Sequence, residues 1–312
     1  MQNIEKVQKI IDNVEEVILG KNRVIKLALA AMMAEGHILF EDVPGVGKTI
    51  LVRSLSRSIG CSFKRVQFTP DLLPSDITGV SIYNQKNNEF EFREGPILSQ
   101  VVLADEINRA TPRTQSALLE SMAEKQITVE GISRRLADPF IVMATQNPIE
   151  YDGTFPLPEA QLDRFLVRLE IGYPKAGDEQ QILENLQLEH PVEKLEAVMT
   201  DQEFIELQND VKKVHVDQKL RKYIVELVNQ SRKHSDLELG ASPRGSIALM
   251  KMAQAWAVVN ERDYIIPDDI KEIAPSVLAH RLIIKSKSRL RGADKEKIIK
   301  EIVNKTEVPI ID

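Results

Sequence analysis

Pro44-Gly45-Val46-Gly47-Lys48-Thr49 has the residue types and spacing to hold a phosphate chain. Glycines at 45 and 47 let backbone N–H groups turn inward toward an anion, and Lys48 supplies a point charge for the outer phosphates. Thr49 puts a hydroxyl where Mg2+ would sit. About sixty residues downstream, Asp105 and Glu106 are adjacent acids at the end of an apolar run. Asp105 is a candidate for the Mg2+ shell, and Glu106 for orienting and polarising a water that attacks a terminal phosphate. The amide of Asn147 is placed to reach the same water. Each feature also has a bland reading: a glycine-rich turn with a chance lysine, a solvated strand end, and a loop asparagine capping a turn. The phosphate loop and the acids in combination favour chemistry over the first two. Asn147 by itself would be read as the turn cap.

These residues need strand ends to hold them. Ile38, Leu39 and Phe40 form a buried-strand run before the loop, and Leu51, Leu55 and Ile59 recur four apart after it, as one helix face requires. Strand, loop and helix N-terminus together make a phosphate cradle. The contact residues run from Asp42 through Val43, Pro44, Gly45, Val46, Gly47, Lys48 and Thr49 to Ile50, with Thr49 and Asp105 at the metal. Asp42 is a departure, since the general phosphate-loop pattern has a glycine five before Gly47. Val101–Ala104 is wholly apolar, as in a strand covered on both faces, and Phe140–Ala144 reads the same way before Asn147. Ligands in open α/β sheets sit beyond the carboxyl ends of such strands. The fold class predicted is therefore α/β, with a central parallel sheet flanked by helices.

Two hairpins are expected at about 80–93 and 126–136. Tyr83, Phe90 and Phe92 in the first are open to two readings, cross-strand packing or contact with a substrate. Beyond Tyr173 strand signals vanish and helices dominate, from Gly177–Leu188 to Pro267–Ala279. The division expected is 1–173 for the α/β core and 174–312 for a small all-α domain. Within the latter, Arg281–Arg291 reads as a solvated basic element and Val303–Asp312 as a fraying tail.

The net charge of −6 argues against a broad nucleic-acid surface, which would want a basic field. Eighteen uninterrupted apolar residues occur nowhere, so no membrane span is expected. A polar-interleaved start without an apolar h-region and a single cysteine, Cys61, suit a reducing, cytoplasmic setting. The five histidines show no ligand spacing, so no structural metal is expected.

EDVPGVGKT, VVLADEINRATPRTQSALLESM, FIVMATQNPIE, FPLPEAQLDRF and GASPRGSIAL, in this order, resemble the MoxR family of AAA+ ATPases over nearly the whole chain. The resemblance implies an ATP- and Mg2+-dependent hydrolase working as a homo-oligomeric ring, a hexamer, with a P-loop core and a helical lid. It assigns Lys48 and Thr49 to Walker A, Asp105 and Glu106 to Walker B, and Asn147 to sensor 1. It makes Arg164 the arginine finger reaching a neighbour's nucleotide, and Arg244 sensor 2 on the lid, facing back across the cleft. Gln67 falls where related enzymes restrain the catalytic glutamate, whereas Arg109 is read as a salt bridge or subunit contact. A protein client is implied, with von Willebrand factor A domain proteins as partners, to be remodelled, matured or loaded with cofactor. Two rival readings are a nucleic-acid-stimulated ring motor and a nucleotide-gated scaffold with little turnover.

Overall fold

The computed structural model describes residues 4–148, 153–186 and 191–310. The chain enters through helices α1 (Ile4–Glu15) and α2 (Asn22–Met33) and then alternates strand with helix. In order come β1 (Ile38–Glu41), α3 (Lys48–Ser58), β2 (Phe63–Gln67), the short α4 (Pro74–Thr78), and a hairpin of β3 (Gly79–Asn84) and β4 (Glu89–Glu94). Then follow β5 (Val101–Asp105), α5 (Pro112–Glu124), a second hairpin of β6 (Gln126–Val129) and β7 (Ile132–Arg135), β8 (Ile141–Gln146), the one-turn α6 (Glu159–Leu162) and β9 (Val167–Leu169). Among the described residues β1, β2, β5, β8 and β9 form one parallel sheet in the order β2–β5–β8–β1–β9. All five residues of β5 are buried, as a central strand with helices on both faces requires. The order seats β8 between β1 and β5, so the phosphate loop, the two acids and Asn147 emerge side by side.

The second half holds α7 (Ala176–Leu186), α8 (Asp201–Val211), α9 (Gln218–Lys233), β10 (Leu237–Leu239), α10 (Pro243–Val259), α11 (Pro267–Leu278), β11 (Ile283–Ile284), α12 (Ser286–Leu290) and α13 (Lys295–Lys305). Local chemistry starts these helices. Thr200 and Glu203 close a capping box on α8, and Ser242 caps α10 with Pro243 in its first turn. Strands do not vanish here, because β10 pairs antiparallel with β11. Each is too short to leave a periodic trace. The tail also differs from expectation: α13 runs to Lys305, and Val303 is buried on its inner stripe with Ile298, Ile299 and Ile302. Arg281, expected in solvent, is buried. The predicted end of the first lid helix, Leu188, and the Ile149-Glu150 end of the FIVMATQNPIE stretch lie outside the described residues.

The apolar core does not stop at residue 173. Alpha-helical spacing puts Val7, Ile10, Ile11 and Val14 on one buried stripe of α1, while α2 buries residues all round. Both helices join α3, α8 and α10 in one continuous cluster that includes Leu29, Leu51, Phe204 and Trp256. A second cluster, holding Phe68, Val102 and Phe165, fills the other face of the sheet. The hairpins meet where Arg134 lies 3.9 Å over the centroid of the Phe92 ring. Beyond that contact Tyr83 packs on Phe90 at 5.3 Å, with Phe90 72% exposed.

Candidate active site

The phosphate loop joins β1 to α3 through Gly45 and Gly47, at φ 83° and 90°. Lys48 Nζ donates to the carbonyls of Asp42 and Val43, each at 2.8 Å. Burial holds the Lys48 ammonium below the usual lysine range, against the opposing pull of Asp42, Asp105 and Glu106. A partly desolvated cation of this kind gains by meeting an anion. Asp42 is used differently from its neighbours. One carboxylate oxygen accepts the Val43 N–H at 2.8 Å, and the other accepts the N–H groups of Ile171 and Gly172 at 2.7 Å each. The acid that replaces a glycine thus fastens the loop to the segment leading out of β9. Neither Asp42 nor Val43 lines the cavity beside the loop.

That cavity, about 370 Å³, is lined by Gly45, Lys48, Thr49, Asp105, Glu106 and Asn147 among others. Register explains the gathering, since Gln67 pairs with Asp105 across β2 and β5, and β8 runs along the other side of β5. Thr145 Oγ1 donates to Asp105 Oδ1 at 2.6 Å and accepts the Glu106 N–H at 2.8 Å, tying β8 to the end of β5. Glu106 stands at φ 56°, a left-handed conformation that costs a residue with a Cβ about 1–2 kcal/mol. Its carboxylate oxygen Oε2 accepts from Gln67 Nε2 at 2.7 Å and from Arg109 Nη1 at 2.9 Å. Lysine, hydroxyl, two acids and a glycine loop at a helix N-terminus are the donor and acceptor set that a magnesium–nucleoside triphosphate needs, so the residues fit that group.

An adjoining cavity of about 180 Å³ is apolar and shares Gly45, Gly47 and Ile50 with the first. Val17, Ile18, Val46, Pro174 and Ile182 complete the walls relevant to a flat base. The sequence reading missed Val17, Ile18 and Ile182, of which the first two follow the end of α1 at Glu15 and the third lies on α7. Arg65 and Thr145 were also missed, being ordinary strand residues until the register places them.

The two remaining candidates lie elsewhere. Arg164 and Arg244 line neither cavity but share a third, of about 230 Å³, with Glu35, His37 and Lys125 at the amino ends of the strands. Arg164 donates to the Leu119 carbonyl. Arg244 does not face back across its own phosphate cleft as expected. Ser242 Oγ donates to Asp163 at 3.2 Å, and α10 packs on α2, which together hold the start of α10 at the far end of the sheet. The buried Arg281 completes the fixture, donating to Asp163 Oδ1 at 2.8 Å and to the Phe165 carbonyl at 2.7 Å. Burial pulls its guanidinium down to about 10, with Asp163 opposing. His37 is locked beside it: Nδ1 accepts the Val142 N–H at 2.9 Å, so Nε2 carries the proton toward the Met122 carbonyl at 3.3 Å.

A parallel sheet with a glycine loop after β1, an acid pair after β5 and a polar residue after β8 defines a P-loop ATPase of the AAA+ class. Residues 37–167 match the ATPase family associated with various cellular activities (AAA), and residues 229–302 match the AAA lid domain. The chain belongs to the MoxR family of these ATPases. It is 37% identical to Chaperone MoxR1 of Mycobacterium tuberculosis, over 99% of this chain and 84% of that one. It is 55% identical to YeaC of Bacillus subtilis, over 97% and 94% of the respective chains. The crystal structure of a candidate ATPase from Cytophaga hutchinsonii superposes with a TM-score of 0.94 at 39% identity, covering 99% of this chain and 96% of that one. Among the described residues no helix is long and apolar enough to cross a membrane.

Proposed function

We propose that the chain hydrolyses ATP with Mg2+ in a ring of its own copies and spends the resulting motion on a protein client. The observation that carries the ring is the placement of Arg164 and Arg244. A four-residue strand spans roughly 13 Å, so groups at its amino end do not reach phosphates held at its carboxyl end. A second copy presenting that face brings the Arg164 and Arg244 guanidinium charges to the terminal phosphate. Within one copy, Lys48 and the loop N–H groups hold the phosphates, and the apolar cavity takes the base. Thr49 and Asp105 would hold Mg2+, which supplies charge neutralisation on the phosphoryl oxygens. Glu106 takes a proton from the attacking water, and Asn147 orients that water. The client reading draws on the relative named a chaperone.

Mixing tests the shared site. Glu106→Gln subunits should bind ATP and not turn it over, and Arg164→Ala subunits should lose turnover while keeping nucleotide. A mixture of the two should regain activity at interfaces that pair an intact acid with an intact arginine, following a binomial dependence on proportion. Lys48→Ala should abolish binding and with it any rescue. Activity simply proportional to the wild-type fraction, with no rescue, refutes action between copies.

A further inference from the structure

Arg65 is a third cation of the phosphate cleft, and its partner is the proposed metal ligand. Residues two apart on a strand share a face, which puts Arg65 and Gln67 together on β2, at the edge of the sheet. Arg65 donates to Asp105 Oδ2 from Nε at 2.9 Å and from Nη2 at 2.6 Å. The same Nη2 donates to Gln67 Oε1 at 2.7 Å. Gln67 passes the connection on, through its Nε2, to Glu106 Oε2 at 2.7 Å. Asp105 Oδ1 is already held by Thr145, so Oδ2 is the oxygen left for a metal, and a guanidinium sits on it. The Arg65 side chain is 48% exposed against 12% for Asp105, so the cation has room to leave and the acid does not.

We propose that Arg65 is a latch that reports a filled cleft to Glu106. Before a divalent cation enters, its guanidinium takes that cation's place at Asp105 and, by way of Gln67, pins the Glu106 carboxylate. Two cations cannot share Oδ2 at close range, so entry of the metal displaces Arg65, whose long stem lets the guanidinium swing to the phosphate oxygens. Gln67 then loses its anchor and Glu106 is free to turn to water. Arg65 is thus a positioning residue for the base and a sensor of the terminal phosphate. This rests on the ATPase reading above.

The test uses the whole chain and fluorescent ADP and ATP analogues, first titrated with Mg2+ and then at saturating Mg2+. With ADP, Arg65→Met should lower the Mg2+ midpoint roughly tenfold, the worth of one charge-assisted hydrogen bond, because the competitor is gone. At saturating Mg2+, where the wild-type guanidinium has been displaced toward the phosphates, Arg65→Met should weaken ATP roughly tenfold and ADP less than twofold. Arg65→Lys keeps the charge but not the paired nitrogens; it should lower the Mg2+ midpoint too, while holding ATP at saturating Mg2+. Far-ultraviolet circular dichroism checks that each variant is folded. A Mg2+ midpoint unchanged within about twofold, or a raised one, overturns the latch while nucleotide binding still stands. Failure of the wild-type chain to bind either analogue overturns the ATPase reading and the latch with it.

Discussion

The two ends of the central sheet handle charge in opposite ways. At the carboxyl ends, Arg65 on Asp105 and Arg109 on Glu106 have side chains 48% and 46% exposed. At the amino ends, Arg281 on Asp163 is 3% exposed and also serves backbone carbonyls of Leu166 and Phe165. In the proposed mechanism the contacts that a ligand displaces lie near water, where exchanging partners costs little. Those that would hold Arg164 and Arg244 in register for a second copy are kept dry, where breaking one strands a charge. On that reading the difference separates what moves from what carries.

The largest expected effect comes from breaking the dry end. Arg281→Met leaves the half-buried Asp163 with Ser242 as its remaining partner and strips the Phe165 and Leu166 carbonyls of a donor, and should cost about 3–5 kcal/mol in urea unfolding. Adding Asp163→Leu should restore part of that loss. Nucleotide affinity of the folded fraction should stay within about twofold if the two ends are independent.

Next in size is acid. Burial pushes His37 down to about 4 from 6.5, so the folded ring stays neutral while an unfolded chain takes up its proton near the ordinary value. Its contribution is intact above 6.5 and is lost as pH falls toward 4, by about 3 kcal/mol. His280, buried against Arg281, acts in the same direction. Unfolding midpoints at pH 7 and pH 4.5 should show the drop, and His37→Gln, which can meet both backbone partners, should reduce it. An equal drop in that variant would remove His37 from the account.

The smallest effect is expected at the wet end. Arg109→Ala removes an exposed pair and should change unfolding free energy by less than about 1 kcal/mol. A cost like that of Arg281→Met would collapse the comparison.

Much of this arrangement was legible before any coordinates. Strand runs such as Val101–Ala104 are apolar throughout because both faces are covered, and the glycines and acids follow directly at their ends. The parallel sheet and the site around Lys48 come from those signals, whereas the strand order does not. Residues whose role depends on a partner distant in sequence were not legible. Arg65 reads as a surface arginine until Asp105 is laid beside it, and β9 has only three residues to declare itself. Arg244 was placed on the wrong side because a motif names a residue without saying which helix the lid leans on. Asp42 looked like a flaw in the loop, and its use by two N–H groups 129 and 130 residues away shows why no glycine is there.

Gly45 and Gly47 invite a different thought about what a phosphate loop forbids. A methyl group built on either meets no protein atom within 4 Å, so crowding within the chain is not the objection to a side chain. The objection is mirror sense. At φ 83° and 90° the backbone follows a path natural to a chain of D-residues, and glycine, having no hand, can follow it inside an L-chain. At these two positions selection among side chains has no size to choose from: alanine is refused on the same stereochemical ground as tryptophan.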